Sequence, residues 1–236
     1  MAEMSKRQPV PMGTRIKAPL LGLLAQSKYL AIWVTFVLLM VLTPFTKGPI
    51  GAIILSIIFS LILISGILTV SDDRRLLVIG LIPLTIALIT RWTSFLIGET
   101  ELQAVSALFA TITLAYITVL VFSSLFKAHE VTTVVIWQAI SVYLLIGLTW
   151  ASLFLLVELL SPGSLLDSLD PSAPMAYPAI VYYSFVTLAT LGYGDITPMT
   201  TTTRGLAVLE VLTGVLFMAI LISRLVGVWK PGKKGE

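Results

Sequence analysis

Cysteine is absent from the 236-residue sequence, histidine occurs once, and only 11% of the residues are charged. Without cysteine the chain holds no disulfide, no thiol nucleophile and no cysteine-ligated metal, and one histidine argues against a histidine-built metal site. We therefore expect no cofactor. Soluble globular domains carry roughly 25% charged residues, so this scarcity of charge indicates that the chain is surrounded by lipid.

Apolar residues make up 57% of the sequence and fall into six long runs. Each run is long enough, or nearly so, for a helix that crosses a hydrocarbon core of about 30 Å. The third run is the shortest and contains Pro83, a residue that can kink a membrane helix. The pattern predicts an all-α polytopic membrane protein whose six spans cover about residues 29–45, 50–70, 76–90, 104–126, 131–160 and 204–229.

A segment of another kind separates the fifth and sixth spans. Residues 161–176 are rich in Ser, Pro, Asp and Gly, as is typical of a loop. Residues 177–189 are apolar, but they are too few to cross a bilayer as a helix. We therefore predict a re-entrant helix, which enters the membrane and turns back.

The basic residues predict the topology, because Lys and Arg accumulate on the cytoplasmic side. With a cytoplasmic N-terminus, twelve basic residues lie inside and only Lys47, Arg91 and Arg204 lie outside. Both termini are then cytoplasmic in a cell membrane, with an N-terminal arm at 1–28 and a tail at 230–236. The arm either lies on anionic lipid as a helix or is disordered. The sequence has no basic stripe on a polar domain, so nucleic acid is not expected as a partner.

A glycine-rich sequence, TLGYGD, follows the re-entrant helix at residues 190–195. Non-helical backbone at membrane depth must be buried in protein or line a water-filled path. Glycine at alternate positions permits positive φ, which can turn successive carbonyl oxygens toward the same side. Such oxygens, with the Thr190 hydroxyl, would replace the hydration shell of a monovalent cation. The predicted ion-binding residues are Thr190, Leu191, Gly192, Tyr193 and Gly194.

This segment resembles the selectivity filter of potassium channels, whose signature is T-x-G-Y-G-D. The resemblance extends over about residues 177–227, with Tyr182, Tyr183 and Thr187 at family positions on the pore helix and Gly214 at the hinge of the pore-lining helix. It implies the tetrameric potassium-channel pore fold. The pore domain would cover 127–229, with an outer helix at 131–160, a pore helix at 177–189, the filter at 190–195 and an inner helix at 204–229.

The resemblance also implies a role for Asp195 at the outer mouth of the filter. The carboxylate is expected to bond to a pore-helix aromatic, either Tyr182 or Tyr183, and so to hold the filter in position. The alternative is a solvated carboxylate that raises the local cation concentration.

Glu210 lies inside an otherwise apolar span, where a carboxylate is costly enough to suggest a function. It is expected to join a network behind the filter through Thr187 or Ser184, or to act as a pH sensor. The residues expected to support the filter are thus Tyr182, Tyr183, Thr187, Asp195 and Glu210.

Four apolar residues on the last span recur at a spacing of three to four after Gly214, so they share one helix face. By the resemblance, this face lines the inner cavity and Gly214 is the gating hinge. Rings of the last two residues would close the pore by dewetting. Without the resemblance, lipid contact would explain the same stripe. The four residues are Val215, Met218, Ile222 and Val226.

The first four spans, within residues 29–126, are similar in number and position to those of voltage-gated channels. Voltage sensing requires several charges in the membrane field, each worth about 2.3 kcal/mol per 100 mV. The fourth span, residues 104–126, contains no charge. We therefore expect a peripheral membrane domain without steep voltage gating.

These features predict a potassium-selective channel with passive conduction and no enzymatic activity. One filter strand supplies a quarter of each oxygen ring, so the chain would form a homotetramer, with K⁺ and membrane lipids as its partners and K⁺ bound at Thr190, Leu191, Gly192 and Tyr193. The alternatives are a nonselective monovalent cation channel of the same architecture and a potassium-uptake transporter subunit. An intramembrane enzyme is disfavoured because Glu210 has no partner group for hydrolysis.

Overall fold

The computed structural model describes residues 13–42, 48–69, 73–127 and 130–228. Over these residues the chain forms seven α-helices and one two-stranded sheet. In chain order the elements are α1 (Gly13–Leu42), α2 (Gly48–Leu68), α3 (Arg74–Ile97), α4 (Thr100–Phe126), α5 (Thr133–Leu160), β1 (Leu165–Asp167), α6 (Tyr177–Leu188), β2 (Ile196–Pro198) and α7 (Thr201–Val228).

The helices confirm the prediction of an all-α polytopic membrane protein. Within the described residues, five stretches are long and apolar enough to cross a membrane, and Ser27–Leu42 in α1 is a shorter apolar stretch. The six fall on the six predicted spans. The five long stretches are Ile50–Leu68, Arg74–Ile97, Thr100–Phe126, Thr133–Leu160 and Thr201–Gly227.

The third span is longer than its apolar run suggested. The predicted range was 76–90, whereas α3 extends from Arg74 to Ile97 and continues through Pro83. Its ends are fixed by capping groups: the Asp73 side chain accepts hydrogen bonds from two backbone N–H groups of the first turn, and Gly98 closes the last turn with φ of 81°.

The N-terminal boundary also differs from the prediction. An arm at 1–28 was expected to be separate from the first span, but α1 begins at Gly13 and runs unbroken to Leu42. The boundary predicted after residue 28 thus lies inside α1. Residues 1–12 and the predicted tail at 230–236 lie outside the described part of the chain.

Hydrogen bonds between helices join α4 to its neighbours α3 and α5. The Tyr116 hydroxyl donates to the Leu76 carbonyl at 2.8 Å and joins α4 to α3. The Gln138 amide donates to the Val121 carbonyl at 3.0 Å and joins α5 to α4. Such polar contacts matter in lipid, where apolar surfaces alone drive little helix association. The fully buried side chains around them include Leu39, Leu63, Leu114, Leu145 and Phe154.

A small antiparallel sheet fastens the loop after α5 to the chain that follows the TLGYGD segment. Strands β1 and β2 pair in the register Leu166 to Thr197. The carboxylate of Glu158, at the end of α5, accepts from the Gly163 N–H at 2.8 Å and from the Leu165 N–H at 2.9 Å. The sequence predicts only a loop here, and it indicates neither the sheet nor the two hydrogen bonds to Glu158.

Candidate ion-conduction site

Helix α6 leads the chain into the TLGYGD segment. Its 12 residues span about 18 Å, less than the thickness of a bilayer core. Pro178 lies in the first turn, where its missing N–H is not needed, and Ile180 and Leu188 are buried against neighbouring helices. The helix ends at Leu188, one residue before the predicted end, and its length fits a re-entrant helix.

The backbone after α6 alternates in handedness. Thr190, Gly192 and Gly194 have φ of 60°, 54° and 79°, whereas Leu191 and Tyr193 are not among the positive-φ residues. Alternating φ signs turn successive peptide units so that their carbonyls can face one side. The segment therefore has the backbone geometry that its glycine spacing predicted.

The N–H and C=O groups of this segment have different surroundings. The N–H groups of Thr190 and Leu191 turn back to α6, donating to the carbonyls of Thr187 and Val186 at 2.9 Å each. The carbonyl oxygens of residues 190–193 accept no hydrogen bond from any described residue. The side chains of Leu191 and Tyr193 are 57% and 68% exposed. A row of four consecutive carbonyls thus remains open to a ligand.

Thr190 adopts a conformation that its residue type does not favour. Positive φ in a residue other than glycine costs on the order of 1–3 kcal/mol. The hydrogen bond from its N–H to Thr187 helps to hold it in this conformation. The glycine spacing predicts positive φ only for the glycines, although Thr190, two residues before Gly192, continues the same alternation.

Asp195, directly after the segment, contacts one of the two tyrosines proposed as its partner. The Tyr182 hydroxyl donates to Oδ2 of Asp195 at 2.7 Å, while Oδ1 accepts from the Ile196 N–H at 3.1 Å. The Tyr182 bond holds the pKa of Asp195 below its ordinary value and raises the pKa of Tyr182 to about 12. Tyr183 is buried and packs its ring on Phe154, with centroids 5.1 Å apart.

Glu210 connects α7 to α6 and α5. Its side chain is fully buried, and Oε1 lies 2.5 Å from the hydroxyl of Ser184. The same hydroxyl lies 2.8 Å from the Gly147 carbonyl oxygen. Of the two partners expected for Glu210, the structure places Ser184 in contact, and Thr187 is buried nearby on α6. Gly147 was not anticipated.

Gly214 lies where α7 approaches the end of α6 most closely. A Cβ at this position would lie 2.3 Å from the carbonyl oxygen of Leu188, so only glycine fits without a shift. The helix is continuous through this point. The contact gives Gly214 a packing role in addition to the hinge role that the resemblance implies.

The four predicted cavity residues share an exposed face of α7. Their exposed fractions lie between 46% and 68%, whereas Phe217 on the other side of the helix is 4% exposed. Within a single chain this face has no cover. The residues are Val215, Met218, Ile222 and Val226.

Both ends of α7 are fastened to other elements. At its start, the Thr203 hydroxyl donates to the Ser164 carbonyl at 3.0 Å, and Arg204 donates to the Pro198 carbonyl at 3.2 Å. Near its end, Arg224 donates to the carbonyl of Phe126 at 2.6 Å. In the sequence Arg224 indicates only the topology, and no local pattern shows that its side chain contacts the end of α4.

A model of the ion-channel family matches residues 114–229, which contain α5, α6, the TLGYGD segment and α7. This part of the chain belongs to that family. The match begins within α4, so α1, α2 and α3 lie outside the ion-channel segment. Ion channels are not an enzyme family, and the apolar helices agree with a membrane protein.

Two plant proteins are similar to parts of the chain. Two-pore potassium channel 4 of Arabidopsis thaliana is 51% identical over 45 residues, or 19% of this chain and 16% of that protein. Two pore potassium channel c of Oryza sativa subsp. japonica is 42% identical over 65 residues, or 28% of this chain and 14% of that protein. The chain thus aligns with about a sixth or less of the length of each relative. No solved structure matches it.

Proposed function

We propose that this chain is a subunit of a homotetrameric, potassium-selective channel in the cell membrane, with both termini in the cytoplasm. The proposal rests on one observation, the positive φ at Thr190, Gly192 and Gly194. The four carbonyl oxygens of residues 190–193 beside them accept no hydrogen bond from any described residue. A dehydrated cation needs such a row of oxygens to replace its water.

The chemistry of conduction follows from four copies of this backbone around one axis. Carbonyls of residues 190–193 from each chain would form stacked rings, and neighbouring ions would pass from ring to ring. Peptide dipoles carry no net charge, so each site binds a monovalent cation without trapping it. Asp195, held by Tyr182, would keep the strand in position from behind.

Assembly as a tetramer is supported by the surfaces that a single chain leaves open. The side chains of Tyr193 and of Ile222 on α7 are more than half exposed, although one is aromatic and the other apolar. Closed rotational symmetry would bring four such faces together and complete each oxygen ring.

In this proposal, α7 forms the gate of the pore. Rings of Ile222 and Val226 would narrow and dewet the end of the pore, with Gly214 as the point of bending. Residues 104–126 contain no charge, so opening is expected to depend little on voltage. The four peripheral helices are not a voltage sensor of the usual kind.

The choice of K⁺ over other monovalent cations is supported by the intact Gly192-Tyr193-Gly194 sequence. The two plant relatives are named as potassium channels, and they align with the chain over short segments. A nonselective cation channel of the same architecture would have to lose part of the oxygen rings.

The test is the reversal potential of the purified protein in planar bilayers with K⁺ on one side and Na⁺ on the other. We expect a potential close to that of K⁺ alone. Gly192→Ala should abolish K⁺ selectivity, because alanine does not tolerate φ of 54° there. Gly98→Ala is the matched control, since Gly98 also has positive φ but lies at the end of α3.

Equal permeability to K⁺ and Na⁺ in the unaltered protein would favour the nonselective channel. Absence of current from a protein that is tetrameric by cross-linking would argue against conduction altogether.

A further inference from the structure

A cavity of about 270 Å³ opens between α2, α3, α4, α5 and the beginning of α6. Its polar lining includes Ser56, Arg91, Gln103 and Tyr177. None of the residues that line it is acidic. The cavity lies apart from the TLGYGD segment, and neither the conduction chemistry nor the gate uses it.

Arg91 is a cation inside a membrane span without a carboxylate partner among the described residues. Its guanidinium group lies over the ring of Phe59, 5.3 Å from the centroid. A cation–π contact of this kind offsets only part of the cost of a charge at membrane depth. An anion in the adjoining cavity would supply the missing partner.

Tyr177 is a second polar residue of the cavity lining. Its side chain is 8% exposed, and its hydroxyl interacts with the buried Ser152 hydroxyl, although neither makes a hydrogen bond of ordinary geometry within the described residues. Together with the Gln103 amide, the cavity offers a guanidinium and neutral donors but no negative charge.

The position of the cavity along α3 matches the level of lipid headgroups. Arg91 lies six residues before the end of α3 at Ile97, or about 9 Å along the helix. Trp92 and Phe95 beside it are 36% and 38% exposed, and their rings meet edge to face with centroids 6.3 Å apart. Exposed Trp is typical of the boundary between hydrocarbon and headgroups.

We propose that this cavity binds the phosphate of a membrane phospholipid, with Arg91 as the cationic contact and Tyr177 and Gln103 as hydrogen-bond donors. A phosphate oxyanion fits this donor set because guanidinium binds it with charge-assisted hydrogen bonds. In the proposed topology the lipid comes from the outer leaflet. Since Tyr177 is the first residue of α6, the bound headgroup touches the helix that leads to the filter.

The test is native mass spectrometry of the purified protein after exchange into vesicles of phosphatidylglycerol or of diacylglycerol with the same chains. We expect the protein to retain phosphatidylglycerol and not diacylglycerol. Arg91→Gln should lower the retained lipid roughly tenfold. Arg204→Gln is the matched control, because it removes a basic residue of an exposed helix start that does not line the cavity.

Tyr177→Phe is a second variant that protects the test against misfolding, since it keeps the ring and removes only a hydroxyl whose polar neighbour is Ser152. It should reduce retention less than Arg91→Gln does. Equal retention by Arg91→Gln and the unaltered protein would overturn the proposal, and water would then fill the cavity. Binding of inorganic phosphate without retention of lipid would also overturn it.

Binding of lipid is measured without current, so the proposal stands or fails separately from the proposed channel function. A channel that conducts K⁺ but retains no phospholipid would contradict only the lipid site. A protein that retains phosphatidylglycerol through Arg91 but conducts no ions would contradict only the channel.

Discussion

The hydroxyl of Ser184 lies 2.5 Å from Oε1 of Glu210 and 2.8 Å from the carbonyl oxygen of Gly147. Hydrogen bonds at both distances need two hydrogens, and a serine hydroxyl has one. A carbonyl oxygen cannot donate, so the second hydrogen must come from the carboxyl group. Both bonds form when Glu210 is protonated and donates to Ser184 while Ser184 donates to Gly147, which joins three helices; Oε2 of Glu210 then has no partner within the described residues.

This proton count predicts which substitutions of Glu210 are tolerated. Glu210→Gln keeps a donor toward Ser184 and should change the stability of the assembled protein little. Glu210→Leu leaves Ser184 with one partner fewer and is expected to cost about 1–3 kcal/mol. The measurement is the temperature at which the oligomer dissociates in detergent. A Gln variant as unstable as the Leu variant would mean that the ionised form of Glu210 is required.

The hydrogen bond from Tyr182 to Asp195 predicts a dependence on external pH. The bond lowers the pKa of Asp195 from its ordinary value of 3.8, so the carboxylate stays charged when the external pH falls below 3.8. Its contribution to stability is lost only when the pH falls through the lowered pKa. Tyr182→Phe removes the bond, so the pKa rises and loss of conductance on external acidification should begin at higher pH.

Tyr183→Phe is the matched control for this experiment. Tyr183 is adjacent in sequence but packs on Phe154 instead of reaching Asp195. Single-channel conductance recorded during external acidification should follow the unaltered protein in the control. If both tyrosine variants respond to acid alike, the Tyr182 bond does not set the charge of Asp195.

The close approach at Gly214 predicts a packing defect. In Gly214→Ala the new Cβ meets the Leu188 carbonyl oxygen at 2.3 Å, and overpacking of this kind costs typically about 1–3 kcal/mol. Gly205→Ala, on the same helix with nothing within 4 Å of the added Cβ, should be neutral or stabilising. Thermal unfolding compares the two. Equal stability of both variants would show that α7 shifts to make room.

Local sequence signals predicted the membrane helices and the TLGYGD segment well. Apolar runs determine where membrane helices form because each backbone must satisfy its own hydrogen bonds in lipid. Alternate glycines indicate positive φ because they lack Cβ. Even the pairing of Asp195 with a tyrosine of α6 follows from the family signature, and only the choice of Tyr182 needed the structure.

Contacts between distant segments could not be predicted in the same way. A helix that is apolar on all sides has no polar face to show which side packs against protein. The sequence therefore shows no pattern for the hydrogen bond from Arg224 to the Phe126 carbonyl. The same holds for the bond from the Gly163 N–H to the Glu158 carboxylate. In the sequence Arg91 indicates only the topology. The cavity beside it is formed by four helices and the start of a fifth, which are far apart in the sequence.

The exposed face of α7 predicts the site of the gate. In the proposed tetramer, Ile222→Asn would place an amide in the narrow ring and make its wetting easier, so the resting open probability should rise roughly tenfold, which corresponds to about 1.4 kcal/mol. Ile220→Asn is the control, because Ile220 is also exposed, at 42% against 56% for Ile222, but lies two residues away on another side of the helix. Single-channel recording at fixed voltage measures both. Since α7 carries apolar residues on several exposed sides, an increase of equal size in the Ile220 variant would show that polarity anywhere on this helix opens the pore, and that no hydrophobic ring at Ile222 closes it.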